Sequence, residues 1–396
     1  MNLIRFLTIG CLIAIVFGEF IKYPFGQVGN ALNILDILVA VTVSFFLIWK
    51  VGIKKQLEIP KPSKVLLGFS VIGLLSLVFN YNFSGVLYLI RFIFYSLFFW
   101  IGYQIAVDGK RDVIQNTLIS VGVIISVLGG VQLWLFPDLT FLTEFGYDPH
   151  IFRLSSTFLD PNFVGAFLTI VYAVCLIKYF ENKDRLLPGI LLILFLAIIL
   201  TFSRSAWIFF AIVNLFTIWF LPKKIVVGLI VLALLSVIFV PRIQQRILGA
   251  VFIDISASER LMSWEKGINL FKLSPITGIG FNNIKTVSIE QGLIRPFTPD
   301  GGNSGNGIDS SWLLVLVTTG VIGIVSYGYF YLSLIVGFIK KSKNNQALSK
   351  KYLVLTGILV GLLIESQFIN SLFYPQIMLI FFIIMGIYYA DSKQNS

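Results

Sequence analysis

Charge is what this chain has least of. Only 12% of its 396 residues are Asp, Glu, Lys or Arg, against 57% hydrophobic residues, whereas soluble domains carry about 25% charge. That shortage excludes an ordinary soluble enzyme. Cysteine is almost as scarce. Cys11 and Cys175 are the only two and both lie in apolar stretches, so neither a disulfide framework nor a cysteine metal cluster is on offer. "TIGC", ending at Cys11, has a faint likeness to a lipoprotein site. The apolar run ahead of it is short and is broken by Arg5, so an uncleaved first helix is expected instead. The GxG of "TGIGFNN" lacks a surrounding strand–helix–strand unit and is not a dinucleotide fingerprint. No internal repeat of the kind transporters carry is visible.

Long apolar runs are what the chain has instead. Mean hydropathy is +0.91, and a bilayer core takes about 20 helical residues. The runs predict an all-α, polytopic membrane helical bundle of about twelve transmembrane helices with a large, partly helical outer loop. The expected spans are 4–20, 31–49, 65–80, 85–107, 113–136, 161–180, 186–202, 205–221, 225–240, 310–339, 352–369 and 371–390. Segment 1–240 then holds nine spans and an outer loop at 137–160. Segment 241–309 is one large extracytoplasmic loop, and 310–396 holds the last three spans and a cytoplasmic C-terminus. Basic residues follow every even-numbered span: Lys50, Lys54, Lys55, Lys61 and Lys64; Lys110 and Arg111; Lys183 and Arg185; Lys223 and Lys224; Lys340, Lys341, Lys343, Lys350 and Lys351. The positive-inside rule makes those loops and both termini cytoplasmic.

The net charge of +11 is spread over short loops, so it orients helices and does not argue for nucleic acid. Its split by residue type says more. The cytoplasmic side holds 16 Lys and 3 Arg; the remainder holds 4 Lys and 7 Arg. Orientation alone is indifferent to the cation, whereas a planar guanidinium fork matches phosphate oxygens. Two readings stand: the outer arginines pair with acids such as Asp148, Asp254, Glu259 and Glu290, or they form an anion-binding outer face.

The loops carry the candidates. "PRIQQRILGAVF" places Arg242 and Arg246 one turn apart on an amphipathic helix lying along the interface. "SASERLMSWEKGINLFKLSP" is a second helix, capped by Ser256 or Ser258, with Leu261, Trp264, Ile268 and Phe271 at helical spacing and Pro275 at its end. "PDGGNSGNG" has the composition of a flexible linker, either a lid or a spacer. Arg204, in Ser203-Arg204-Ser205, either snorkels at a span end or joins a helix N-terminus as an anion site. Arg91, near the outer end of the fourth span, and Arg153 fit both accounts. Asn162, after Pro161, completes the polar set. Glu365 and Gln367 interrupt the eleventh span, as a functional acid or as a pairing group near its outer end.

Four segments, in order, resemble the O-antigen ligase and polysaccharide polymerase superfamily: "RLSSTFLDPNFVGAFL", "TFSRSAWIFF", "SERLMSWEKGINLFKLSPITGIGFNNI" and "DSSWLLVLVTTGVIGIVSYG". With the similar-looking "FINSLFYP", the resemblance spans about 150–390. It implies an inverting glycosyltransferase without metal or cofactor, whose donor is a polyprenyl-diphosphate-linked glycan. A polysaccharide or lipid-core acceptor would be glycosylated on the outer face of a bacterial cytoplasmic membrane, beside other polysaccharide-assembly membrane proteins. By motif position, Arg204 and Arg260 match the arginines that hold the diphosphate. Arg153 is a weaker third, and Arg91, Arg242, Arg246 and Asn162 are further candidates for the diphosphate or glycan. One departure stands out. Lipopolysaccharide ligases carry His-Asn at the end of the long loop, where this chain has Ile308-Asp309-Ser310, and its single histidine, His150, lies in another loop. That favours a polymerase, or a ligase with another acceptor. Asp309 is then either the general base or the N-cap of the following helix, with Ser310 also available. A lipid-linked glycan transporter would place charges or broken helices at the midplane; a scaffold would need no Arg/Lys asymmetry.

Overall fold

A computed structural model of the chain describes residues 1–24, 31–55, 58–220, 223–252, 254–293, 307–344 and 346–394. Each apolar run becomes helix. In chain order these are α1 (Asn2–Ala14), α2 (Ile34–Leu47), α3 (Lys61–Phe79), α4 (Phe83–Ser96), α5 (Phe98–Val107), α6 (Arg111–Leu135), α7 (Pro161–Asn182) and α8 (Leu187–Leu200). They continue with α9 (Arg204–Thr217), α10 (Lys223–Phe239), α11 (Pro241–Val251), α12 (Ile255–Phe271), α13 (Ile284–Glu290), α14 (Ser311–Asn344), α15 (Gln346–Glu365) and α16 (Pro375–Gln394). A two-stranded ribbon, Lys22–Pro24 against Ala31–Asn33, is the only sheet among the described residues.

Seven helices among the described residues are long and apolar enough to cross a membrane. The stretches Asn2–Phe17, Leu187–Leu200 and Arg204–Phe220 are apolar but shorter, so an expected count of twelve spans exceeds what length and composition support. The chain is a helical membrane protein by this measure. The core is helix on helix: α16 and α7 are buried along most of their length. Gly102 of α5 and Gly386 of α16 face backbone carbonyls of the opposite helix, where an added Cβ would overlap Ile383 O and Phe99 O. Small residues at such crossings let helix backbones approach in a membrane protein, where dispersion replaces the hydrophobic effect as the driving force. α10, by contrast, exposes Val227, Val231, Leu234, Leu235, Ile238 and Phe239, as a helix facing lipid does.

At the basic ends of the bundle, α6, α7, α15 and α16 are tied by one ion network. Arg111 pairs with Asp391 and, at 3.2 Å, with Glu181; Lys351 lies 3.0 Å from Asp391 and 3.7 Å from Glu181.

At the other end, the expected single helix over 310–339 is interrupted. Gly320, with φ 66° and ψ −169°, breaks α14, and the segment after α12 inserts into the break. Ile279 N–H donates to Val317 O at 3.0 Å and Val321 N–H donates to Pro275 O at 3.0 Å, so backbone groups freed by the kink are satisfied from outside the helix, as a membrane helix requires. Phe281 then enters an aromatic cluster with Phe69, Phe92 and Phe373. The "TGIGFNN" turn is thus a plug that pins the segment after α12 to the bundle. Gly320→Ala places a Cβ against Ile276 O at a left-handed φ. Such strain costs about 1–3 kcal/mol, so the variant is expected to melt several degrees lower in detergent, read by static light scattering.

Candidate functional site

Four helices begin at the end of the bundle opposite the ion network, each capped by its own polar residue. Asp160 accepts from Asn162 N at 2.6 Å ahead of α7. Ser203 accepts from Ala206 N at 3.4 Å ahead of α9. Asp254 accepts from Ala257 N at 2.9 Å ahead of α12, and Ser310 accepts from Leu313 N at 3.2 Å ahead of α14. Two expectations are corrected here. The cap of α12 is Asp254, not Ser256 or Ser258, because that helix starts at Ile255, ahead of both. The cap of α14 is Ser310, which leaves the Asp309 side chain outside the helix end.

Arginines link these N-termini. Arg153 is buried and donates from Nε to Thr201 O at 2.9 Å and from Nη2 to Asn162 Oδ1 at 3.1 Å. Ser203 Oγ donates to the same Asn162 oxygen at 2.8 Å. Arg153 and Asn162 therefore join the start of α7 to the turn before α9. Arg204 reaches the other way, donating to Gly249 O at 2.6 Å and pairing with Asp254 at 2.9 Å. Pairing with an acid, Asp254, is thus the arrangement for Arg204. Arg242 donates to Ile151 O and lies over the rings of Phe152 and Phe202.

Arg246 and Arg260 differ from these. Among the described residues no hydrogen bond or ion pair involves the Arg246 guanidinium. Burial draws it below the ordinary arginine range, and neighbouring Arg204 and Arg242 act in the same direction. Arg260 uses Nε on Phe368 O at 3.0 Å and Nη1 on Ser256 Oγ at 2.9 Å. It has no carboxylate within ion-pair distance among the described residues. It too is drawn down, first by burial, while Asp309 opposes the shift. Five guanidiniums and four helix N-termini converge on one end of the bundle. Free N–H groups and the positive ends of helix dipoles are what anions seek.

Asp309 sits at the edge of this field. α12 grips its main chain from both sides: its N–H donates to Ser263 Oγ at 2.9 Å, and Trp264 Nε1 donates to its carbonyl at 3.0 Å. Its carboxylate makes no hydrogen bond among the described residues. Burial raises that carboxyl to about 6, against the lowering pull of Arg260 and Lys266 and with the added push of Asp148 and Asp160. A half-buried carboxyl titrating near 6 is suited to accepting a proton.

Sequence reasoning missed several members. Ser263 and Trp264 hold Asp309. The signal was the i, i+3 spacing of Ser263 from Arg260, which puts both on one helix face; Trp264 was expected only as part of the apolar face. His150 is 6% exposed, its Nε2 has no partner among the described residues, and burial, with Arg153, pulls it down to about 3. Asp160 is raised by burial and acts on Arg153, Arg260 and Asp309. Glu365, expected from the sequence as a functional acid or a pairing group, is buried and accepts from Ser371 Oγ at 2.8 Å. The "PDGGNSGNG" segment, expected as a lid or a spacer, falls outside the described residues except for its last glycine, Gly307. No group of three or more His, Cys, Asp or Glu among the described residues is arranged to hold a metal ion.

Arg91 stands apart from this assembly. It pairs with Asp36 of α2 at 2.7 Å, and Tyr95 O–H donates to the same carboxylate at 3.0 Å. The pair lines an apolar cavity of about 210 Å³ with Leu32, Val39, Leu87 and Phe94. Removing one partner of a buried pair leaves the other uncompensated, at about 3–5 kcal/mol. Arg91→Ala is expected to lower the melting temperature in detergent sharply, and adding Asp36→Asn should restore much of the loss.

No curated protein matches the chain. A family model does, over a stretch that holds Arg204, Arg242, Arg246, Arg260, Asp309 and the broken part of α14. Residues 189–328, about a third of the chain, are similar to the family model described as O-antigen ligase.

Proposed function

We propose that the chain is a membrane glycosyltransferase that polymerises or transfers polyprenyl-diphosphate-linked oligosaccharide on the outer face of a bacterial cytoplasmic membrane. One observation carries the reading: Arg246 and Arg260, neither with a carboxylate within ion-pair distance among the described residues, lie in one arginine group with the unbonded carboxylate of Asp309 beside them. A leaving diphosphate and an attacking hydroxyl need those two functions side by side.

In the reaction, Asp309 takes the proton of the acceptor hydroxyl, whose oxygen attacks the anomeric carbon from the face opposite the diphosphate. The bond from that carbon to the diphosphate oxygen breaks as the new glycosidic bond forms, with inversion. The electron pair leaves with the lipid diphosphate, whose growing negative charge is stabilised by Arg260 and Arg246, with Arg204 behind them. Preorganised donors aimed at developing charge are the largest single source of such catalysis. Arg153 and Asn162 contribute by holding the starts of α7 and α9 in register.

Within this class, Ile308-Asp309-Ser310 in place of the ligase His-Asn favours polymerisation, or a ligase with another acceptor, over transfer to a lipid A–core. The test is to supply purified protein with a lipid-diphosphate-linked oligosaccharide and follow released lipid diphosphate and glycan length. A lengthening ladder supports polymerisation, and a single transfer to added acceptor supports a ligase. No turnover with matched donors moves the reading to transport.

A further inference from the structure

The turn 366–372, between α15 and α16, has no part in the chemistry above, yet it touches both halves of the site. Phe368 O accepts from Arg260 Nε at 3.0 Å. Ser366 O accepts from Ser311 N at 2.8 Å, and Ser366 Oγ accepts from Trp312 Nε1 at 3.0 Å. Ser311 Oγ donates to Ile369 O and accepts from Leu372 N, each at 3.2 Å. The circuit closes through Trp264, whose ring lies 6.1 Å from that of Phe368 and whose N–H holds the Asp309 carbonyl. Glu365 braces the turn through Ser371.

These contacts have a directional consequence. Arg260 has five N–H donors in a rigid fork. The Nε edge is taken by the turn and Nη1 by Ser256, so the direction of the remaining edge is set by where Phe368 O lies. Asp309 is two residues ahead of Ser311, which the same turn holds by three hydrogen bonds. We propose that the turn 366–372 is the positioning element of the site, registering Arg260 against Asp309, with Ser311 as the positioning residue through which it acts on α14. The proposal rests on the glycosyltransferase reading for its catalytic meaning, while the registration itself is a matter of geometry.

Ser311→Ala removes both hydroxyl contacts; Ser311→Thr keeps the hydroxyl; Trp312→Phe keeps an aromatic ring, though a smaller one, and loses the N–H bond to Ser366. Misplacement of about 1 Å can cost 10²-fold, so Ser311→Ala is expected to lower kcat about 10- to 100-fold with donor KM within about threefold. Ser311→Thr should recover most of it, and Trp312→Phe should lie between. The acid limb of the rate should move to higher pH, because Arg260 is the largest influence lowering the Asp309 carboxyl. Lys266 of α12 opposes protonation as well, while Asp148 and Asp160 favour it. A second measurement needs no turnover: spin labels at the exposed positions Met262 of α12 and Ile322 of α14 should show a broader distance distribution in Ser311→Ala than in wild type. A broadened distance supports the registration even if no donor turns over, an outcome that would sink only the glycosyltransferase reading. An unchanged distance, or wild-type kcat and pH limb in a protein that Arg260→Ala inactivates, overturns the proposal.

Discussion

Asp309→Asn is expected to cut the rate of lipid diphosphate release by about 10²–10⁴, the usual contribution of a general base, without unfolding the protein. Wild-type activity should fall tenfold per pH unit below a midpoint near 6, because the base must be ionised and burial raises its carboxyl to about 6. The variant should lose that limb. Its stability should hold or rise, for a specific reason. A carboxyl raised from 3.8 to about 6 binds its proton more tightly in the folded state than in the unfolded chain. Ionising it as pH climbs through that window therefore costs folding free energy, and the amide carries no charge to bury. Capping of α14 is undisturbed, since Ser310 supplies the bond to Leu313 N. Initial rates from pH 5 to 8, with thermal melts of both proteins, decide the matter. Wild-type rates in Asp309→Asn would remove the base from the mechanism.

How much of this was legible beforehand divides along range in sequence. Apolar runs of span length become helices because burial in lipid and satisfaction of the backbone are decided locally. Each expected span has a helix in place, although length and composition support seven crossings among the described residues. The spacing of Arg242 and Arg246 likewise showed one helix, and both lie on α11. Local signals failed at the ends. Asp254 caps α12 because the chain enters that helix two to four residues earlier than the serines suggested, and the backbone groups freed where Gly320 breaks α14 are paired by the distant segment 275–279. The candidate site shows the same division. Arginine in place of lysine away from the basic loops was visible in composition. Which arginines already have partners was not, because Arg204–Asp254, Arg260–Phe368 and Arg91–Asp36 join residues 50 to 108 positions apart. Nothing in one sequence assigns those distances. The departure from the ligase His-Asn, by contrast, was legible at once, and the structure gives it a setting: the carboxylate there has Arg260 and Lys266 within its field.

Arg260→Ala is expected to have the larger effect on the leaving group, about 10²–10³ in kcat, the cost of removing one preorganised donor from a developing oxyanion. Arg260→Lys should rescue little. A point charge restores attraction without the fork that binds Phe368 O, Ser256 Oγ and a phosphate at once. Arg204→Ala must be read differently, because it also strips Asp254 of its partner and so disturbs the start of α12, which carries Arg260. Pairing it with Asp254→Asn separates the two effects. If Arg204 serves only to neutralise Asp254, the double variant recovers the rate. If its charge acts on the diphosphate, the double variant stays slow while its melting temperature returns. The same logic fixes what Arg260 is for. It has no acid to neutralise among the described residues, so no compensating substitution should rescue Arg260→Ala. Donor affinity offers the independent reading: inorganic pyrophosphate should compete with the lipid-linked donor in wild type and lose most of that competition in Arg260→Ala. Equal inhibition of both proteins would show that the diphosphate is held elsewhere, by Arg246 or Arg242 of α11, and would move the leaving-group role from α12 to α11.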